Sequence, residues 1–186
     1  MWALVHQQLY NAGEAMLTGD KELAYKVISR ERRVNAFELK IDSDCEDIIA
    51  LYAPVAIDLR FVLAMYKINT NLERLGDFAE SIARFAGNLP EGEPIDPQLV
   101  KETRVEEMLS ELLSMISLTK EAFEKESSEI ASRIFLKDNL IDEINHNSTA
   151  IIAKYIEEHK GSALAGLYMA GVIRKMERFG DHCTNI

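Results

Sequence analysis

Two pairs of acidic residues in this sequence have the spacing of a helical metal site. Glu73 precedes Asp77 by four positions, and Glu177 precedes Asp181 by the same interval. Side chains four residues apart lie on one face of an α-helix, so each pair holds its carboxylate oxygens close together. Their repulsion disfavours the helix by a few tenths of a kcal/mol, roughly, and a bound cation reverses it. Because Mg²⁺, Mn²⁺, Ca²⁺ and iron accept such oxygen ligands, we predict metal binding at each pair.

The two pairs belong to an internal repeat. The segment NLERLGDFAESI, residues 71–82, closely matches KMERFGDHCTNI, residues 175–186, and both contain the block Glu-Arg-x-Gly-Asp. Such self-similarity indicates a duplicated structural unit. A glycine inside a helix costs about 1 kcal/mol relative to alanine. The recurrence of Gly76 and Gly180 therefore predicts a close approach to the helix backbone, by a neighbouring helix or by a metal cluster.

Carboxylates also recur on the helix that precedes each pair. Glu31 and Asp138 take equivalent positions when the apolar residues around them are aligned, each at the margin of an apolar stripe. An unpaired charge there is costly. At 100° per residue, Glu73 and Asp77 point away from the centre of the apolar stripe of their own helix, so we expect the site at the bundle surface rather than in the core.

A second interpretation of the acidic pairs stays open at this point. Glu-x-x-x-Asp is a common chance pattern on a solvated helical face, and Arg74 and Arg178 lie within the repeated blocks as neutralising partners. Surface ion pairs of that kind contribute little to stability. His182 directly follows Asp181, but it takes the place of Phe78 in the repeat, so we expect it to pack or to contact a partner.

Apolar residues at steps of three and four predict helices throughout the first half of the chain. The three helices run from Trp2 to Met16, from Asp20 to Tyr52, and from Pro54 to about Gly87 and Asn88. Ile48 belongs to the predicted apolar seam of the second helix and Phe61 to that of the third, so both are expected to be buried. Tight turns between the three helices predict an antiparallel bundle.

The second half repeats this plan. Its helices are expected from about Gln98 to Lys125, from about Ser127 to His159, and, after a break at Lys160-Gly161-Ser162, up to Ile186. Three of the four prolines fall in LPEGEPIDP, residues 89–97. We therefore predict an all-α protein of two tandem repeated antiparallel three-helix bundles. The first covers residues 1–89, a Pro-rich linker covers 90–97, and the second bundle covers 98–186.

Composition narrows the classes of function. A net charge of −10 argues against binding to a nucleic-acid backbone. The sequence shows no apolar run of about 20 residues and no signal peptide, which predicts a cytoplasmic protein. Cys45 and Cys183 are far apart and are expected to be buried free thiols. Since no nucleophile has a partnered base and no Gly-rich phosphate loop is present, we predict a protein that is not an enzyme.

The repeated blocks resemble those of the PhoU family across nearly the whole chain. LERLGDFAESIA is similar to the first family block, MERFGDHCTNI to the second, and PVAIDLR, residues 54–60, to the opening of the third helix. The resemblance implies negative regulation of the phosphate response through the phosphate-specific ABC transporter, at its ATPase subunit, and the phosphate sensor kinase. Membrane contact is then only peripheral, through these partners, and a homodimer is compatible with the family.

The same resemblance implies clusters of divalent or ferric metal on the bundle faces. Iron is the first choice, with zinc, manganese, magnesium and calcium as the others. The ligands it implies are given by residue number: Glu73, Asp77, Glu177 and Asp181, with Glu31, Asp138 and Asp142 in support.

Two other classes of function remain as alternatives. A di-iron carboxylate enzyme needs two Glu-x-x-His motifs and two further glutamates, and this chain offers one such motif, Glu143 with His146. A metal-free helical adaptor needs only a docking surface. An assay for oxygen-dependent activity separates the first class from a regulator, and metal analysis separates the second.

Overall fold

The computed structural model describes residues 1–89 and 95–186, and these residues form seven helices and no strand. The helices are α1 Trp2–Thr18, α2 Lys21–Tyr52, α3 Ala56–Asn88, α4 Pro97–Thr103, α5 Val105–Glu124, α6 Ser128–Glu158 and α7 Ala163–Thr184. The all-α class is therefore confirmed.

Most helix boundaries fall where the capping residues predict them. Gly19 closes α1 in the left-handed conformation, with φ 71°. The Asp20 side chain then caps α2 by accepting a hydrogen bond from the Leu23 backbone N–H at 2.9 Å. Ser127 caps α6 in the same way, accepting from the Ile130 N–H at 3.3 Å. These local hydrogen bonds satisfy backbone donors that a helix start leaves free.

The predicted single helix from Gln98 to Lys125 is wrong, because α4 and α5 are separate helices. Arg104 lies between them in the left-handed conformation, with φ 57°. Its guanidinium group donates to Glu107 at 2.7 Å and to Glu143 of α6 at 2.9 Å. These ion pairs accompany a backbone conformation that is unusual for a residue with a Cβ.

Two other predicted boundaries shift by a few residues. Ala53 closes α2 with φ 44°, and Val55 is the extended N-cap of α3, so Pro54 lies in the turn rather than in the first turn of the helix. Helix α7 ends at Thr184 instead of Ile186.

The two repeats share one continuous apolar core. Helices α1, α3, α5 and α7 lie at the centre, where α1 packs on α5 and α3 packs on α7. Helix α2 covers α1 and α3 from one side, and α6 covers α5 and α7 from the other. At Gly13 of α1 the approach to α5 is close, because an added Cβ would lie 2.2 Å from Leu109 Cδ2. The centre of the molecule is thus formed by both halves together.

The distal half of the α2–α3 hairpin is less buried than its apolar pattern predicts. Ile48 is 39% exposed and Phe61 is 56% exposed, so the prediction that they are buried is wrong. Helix α1 has 17 residues, whereas α2 has 32 and α3 has 33. Because α1 extends along only about half of the hairpin, it leaves the end near the α2–α3 turn uncovered.

Residues 90–94 of the predicted Pro-rich linker lie outside the described residues. Ile95 is buried, and Asp96 caps α4 by accepting from the Gln98 N–H at 2.8 Å. The Tyr155 hydroxyl of α6 also donates to Asp96, at 2.6 Å. The start of α4 is thereby fixed to the second half.

Both cysteines are free and buried, as predicted. Cys45 lies on α2 and Cys183 on α7. Among the described residues, no helix combines the length and the apolar character that a bilayer span needs.

Candidate metal-binding site

The first candidate site is centred on Glu31 of α2, which lies against the backbone of α3 at Gly76. A Cβ added at Gly76 would be 3.3 Å from Glu31 Oε1 and 3.4 Å from Oε2. The predicted close approach to the repeated glycine is therefore made by the neighbouring helix, through its carboxylate. Glycine is required at this point because a side chain on α3 would compete with Glu31 and with Val34 for the same space.

Glu31 is buried, with 6% of its surface exposed, and both of its carboxylate oxygens lack a hydrogen-bond partner among the described residues. Burial raises its pKa to about 7, the negative charges of Asp77, Glu80 and Glu73 add to the shift, and the nearby Gln8 side chain opposes it without making a hydrogen bond of good geometry. A buried charge without a partner is unfavourable, so this carboxyl group either takes up a proton or is compensated by a cation.

Glu73 and Asp77 lie beside Glu31 on α3, one turn apart. The Glu73 side chain is 16% exposed and that of Asp77 is 37% exposed. Burial raises the pKa of Glu73 most, and the negative charges of Asp77 and Glu38 raise it further. Arg74 compensates part of this charge, since its guanidinium lies 3.2 Å from Asp77 Oδ2 and 3.7 Å from Glu73 Oε2. Arg74 is itself exposed and does not reach the buried oxygens of Glu31.

The second repeat reproduces this arrangement. A Cβ added at Gly180 of α7 would lie 3.0 Å from Asp138 Oδ1 of α6. Burial raises the pKa of Asp138 to about 6, with contributions from Asp142, Asp181 and Glu177 in that order. The pKa of Glu177 is also raised, by burial first and then by Asp181 and Asp142. The relation of carboxylate to glycine is thus the same in both halves.

Each set of predicted ligands is brought together at one helix–helix contact. Glu31, Glu73 and Asp77 meet between α2 and α3, and the second set, Asp138, Asp142, Glu177 and Asp181, meets between α6 and α7. In the part of the chain that the structure describes, no three His, Cys, Asp or Glu side chains already form a closed ligand group. Metal binding at either contact therefore requires side-chain rotation.

The expected surface location of the sites is only partly right. Asp142 and Asp181 are exposed, whereas Glu31 is buried. The angular estimate considered α3 alone, and it is α2 that covers the face where Glu73 and Asp77 lie. A site at the contact of two helices is more shielded from water than one on an outer face.

The residues present fit a hard cation. All the donors are carboxylates, which Mg²⁺, Mn²⁺, Ca²⁺ and iron accept, and the buried oxygens of Glu31 have no other partner among the described residues. When bound, such an ion supplies positive charge that joins α2 to α3 or α6 to α7. In the first half Glu31, Glu73 and Asp77 would hold it. In the second half the ion would be held by four carboxylates: Asp138, Asp142, Glu177 and Asp181.

Two acidic residues near the first site were not predicted as site residues from the sequence. Glu38 follows Glu31 by seven residues, and Glu80 follows Glu73 by the same interval. Two helical turns return a side chain to nearly the same face, so this spacing could have identified them. Glu38 contributes to the raised pKa of Glu73, and Glu80 to that of Glu31, although Glu80 also pairs with Arg84 at 2.7 Å.

The motif that a di-iron enzyme requires does not face the bundle interior. Glu143 and His146 are both exposed on α6, and Glu143 accepts a hydrogen bond from Arg104 at 2.9 Å. Inward-facing ligands on several helices define such enzymes.

One contact between the two repeats is made where α3 packs on α7. The ring of Phe78 contacts that of His182, its equivalent in the repeat, with centroids 5.4 Å apart. Asn71 Oδ1 lies 2.8 Å from His182 Nδ1, and Lys175 Nζ lies over the Phe78 ring at 5.7 Å. Because Lys175 is the repeat equivalent of Asn71, these two contacts join equivalent positions of the two repeats. His182 has the packing role expected of it.

Comparison with known proteins identifies the relatives of this chain. The PhoU family model, described as "PhoU domain", matches residues 1–86 and 105–186 of this chain. The chain is similar to the phosphate-specific transport system accessory protein PhoU of Escherichia coli K12, with 34% identity over 189 residues, covering 100% of this chain and 76% of that protein. A homolog of that protein from a Burkholderia species is 32% identical over 186 residues, covering 100% of this chain and 79% of the relative.

Solved structures give the same picture of the fold. The crystal structure of PhoU from Pseudomonas aeruginosa aligns with a TM-score of 0.88 and 28% identity, covering 100% of this chain and 87% of that one. A PhoU structure from Streptococcus pneumoniae aligns with a TM-score of 0.86 and 29% identity, covering 99% of this chain and 84% of that one. Both repeats are included in these alignments.

Proposed function

Because this chain belongs to the PhoU family, we propose that it regulates inorganic phosphate uptake and represses the phosphate-starvation response. The observation that carries this proposal is the extent of the family match, which includes both repeats. Relatives that align with the whole chain are named accessory proteins of the phosphate-specific transport system.

The partners that we propose are the ATPase subunit of the phosphate-specific ABC transporter and the phosphate sensor kinase. Any membrane contact of this chain is then peripheral, through these partners. A homodimer is compatible with this role. The net charge of −10 supports protein partners over a nucleic acid.

We further propose that the two carboxylate sites bind divalent or ferric metal, with iron first and zinc, manganese, magnesium or calcium as the other candidates. The single observation that supports this is the pair of buried Glu31 oxygens without a hydrogen-bond partner among the described residues. An ion at that place joins α2 to α3, and its repeat equivalent joins α6 to α7. Metal then sets the stability of each helix–helix contact, which is a route by which it affects regulation.

We propose that this chain acts as a regulator and catalyses no reaction of its own. The relatives are named accessory proteins, Glu143 and His146 are both exposed, and Glu143 accepts a hydrogen bond from Arg104. Oxygen consumption by the iron-loaded protein tests the alternative of a di-iron enzyme. Consumption that ceases in a Glu143→Gln variant would favour the enzyme.

The regulatory role is tested with a phosphate-responsive reporter in a strain that lacks the gene. We expect constitutive expression in phosphate-rich medium, and repression when the wild-type chain is restored. Unchanged repression in the deletion strain would contradict the proposal. A Glu31→Gln, Asp138→Asn variant then separates the metal-dependent regulator from the metal-free adaptor, because only an adaptor restores repression without binding metal.

A further inference from the structure

A cleft with an excess of positive charge lies between α3 and α7, on the line where the two repeats meet. Its volume is about 410 Å³, and its cationic and polar lining comprises Arg74, Ser81, Lys175, Arg178 and His182 beside the ring of Phe78. Two acidic residues, Asp77 and Glu80, complete the lining. The cleft shares Asp77 with the first carboxylate site, but the buried Glu31 does not line it.

The acidic groups of this cleft are already paired, and two of its cations are not. Asp77 pairs with Arg74 at 3.2 Å, and Glu80 pairs with Arg84 at 2.7 Å. Among the described residues, neither Lys175 nor Arg178 has a carboxylate within ion-pair distance. Lys175 and Arg178 therefore have no ion-pair partner in the described part of the chain, and the three cations and two carboxylates of the lining leave a formal charge of +1 in a chain whose net charge is −10.

The repeat explains why these cations converge. Arg74 and Arg178 are equivalent residues of the two halves, and the packing of Phe78 on His182 brings both to the same cleft. Cations from opposite repeats thus line one cleft.

This set of donors matches the chemistry of a small oxyanion. A guanidinium group presents a planar fork of N–H donors to two oxygens, and a lysine adds a point charge. Lys175 lies over the Phe78 ring, and the Ser81 hydroxyl adds a neutral donor. The described residues that line this cleft are mostly polar, so the cleft offers no deep apolar pocket to a larger organic ligand.

We propose that the cleft between α3 and α7 binds a small phosphate-class oxyanion, held chiefly by Arg178 and Lys175. The specific ligand that we propose is free inorganic phosphate. The anion site does not depend on metal at the carboxylate clusters. Only its use in sensing phosphate rests on the regulatory function proposed above.

The test is calorimetric titration of inorganic phosphate into the full chain after metal removal with a chelator, at constant ionic strength in chloride. We expect saturable binding that weakens about tenfold or more in the Lys175→Gln, Arg178→Gln variant, since each lost cation removes a charge-assisted hydrogen bond. Arg174→Gln is the matched control, because Arg174 is on the same helix but does not line the cleft. That control is expected to bind phosphate as the wild type does.

Absence of saturable binding to the wild type would overturn the proposal, as would an equal loss in the Arg174→Gln control. Phosphate binding that appears only after metal is added would also overturn it, because the anion then binds to the ion. Thermal unfolding and metal titration of each variant show that it is folded and that its carboxylate sites are intact. The reporter experiment tests regulation separately, so failure of the anion site leaves that result unaffected.

Discussion

The carboxylate of Glu31 lies against the backbone of Gly76, where an added Cβ would be 3.3 Å from Oε1. Asp138 and Gly180 repeat this relation in the second half, at 3.0 Å. In each half one helix thus carries the acid and the next helix carries the glycine that makes room for it. The duplicated block Glu-Arg-x-Gly-Asp is therefore only one side of a site whose other side is the preceding helix.

Replacing Gly76 by alanine should destabilise the protein, although alanine is the better helix former. The added Cβ would meet Val34 Cγ1 at 2.8 Å as well as Glu31, and overpacking of this kind costs about 1–3 kcal/mol. Urea denaturation measures the change in the free energy of unfolding. Gly87→Ala is the control on the same helix, because nothing lies within 4 Å of its added Cβ. It should gain up to about 1 kcal/mol, and equal effects of the two substitutions would contradict this account.

The buried Glu31 predicts a pH dependence of stability in the metal-free protein. The folded-state pKa is raised from 4.5 to about 7. At a pH below both pKa values, Glu31 is protonated in the folded and in the unfolded state, so its ionisation does not change the free energy of unfolding. As the pH rises to about 7 the unfolded chain ionises first, so the free energy of unfolding falls, and above that pH the loss is complete.

Glu31→Gln should therefore be more stable than the wild type at high pH, by on the order of 2–3 kcal/mol at about pH 8, with a much smaller advantage at about pH 5. Denaturation of chelator-treated protein at both pH values measures this. Glu46→Gln changes an exposed carboxyl on the same helix and serves as the control. A stability difference between Glu31→Gln and the wild type that does not grow with pH would disprove that Glu31 ionises in a buried place.

The contact between Asn71 and His182 should couple the two repeats. Single changes to alanine and the double change form a cycle in which we expect a coupling energy of about 0.5–1.5 kcal/mol, since the two groups share a hydrogen bond of 2.8 Å. Chemical denaturation of the four proteins gives this energy. Asn71→Ala combined with His146→Ala is a control pair, because His146 is exposed on α6. Zero coupling between Asn71 and His182 would show that this hydrogen bond does not join the halves.

Much of the fold could be predicted from the sequence because the signals are local. The caps at Asp20 and Ser127 fix helix starts through hydrogen bonds to residues three positions later. The break at Arg104 has no such signal, since no glycine or proline marks it and its ion pair with Glu143 is distant in the chain. Periodicity alone likewise does not reveal that α1 is too short to cover Ile48 and Phe61.

The candidate site shows the same division between local and distant information. The pairing of Glu73 with Asp77 and the repeat of the glycines are visible in the sequence. The burial of Glu31 depends on how α2 packs on α3, and the cleft at Arg178 depends on how the two repeats meet. Contacts of that kind are set by packing between helices rather than by spacing along one helix.

Metal binding by the chelator-treated full chain is the most direct test of the carboxylate sites. Calorimetric titration with ferrous, manganese and zinc ions, together with elemental analysis of protein purified without chelator, measures affinity and stoichiometry. We predict tight binding by the wild type, lost largely in a Glu31→Gln, Asp138→Asn variant and retained in a Glu46→Gln, Glu129→Gln control. Stoichiometric absence of metal from the wild type under each metal supply, or equal binding by both variants, would contradict the account.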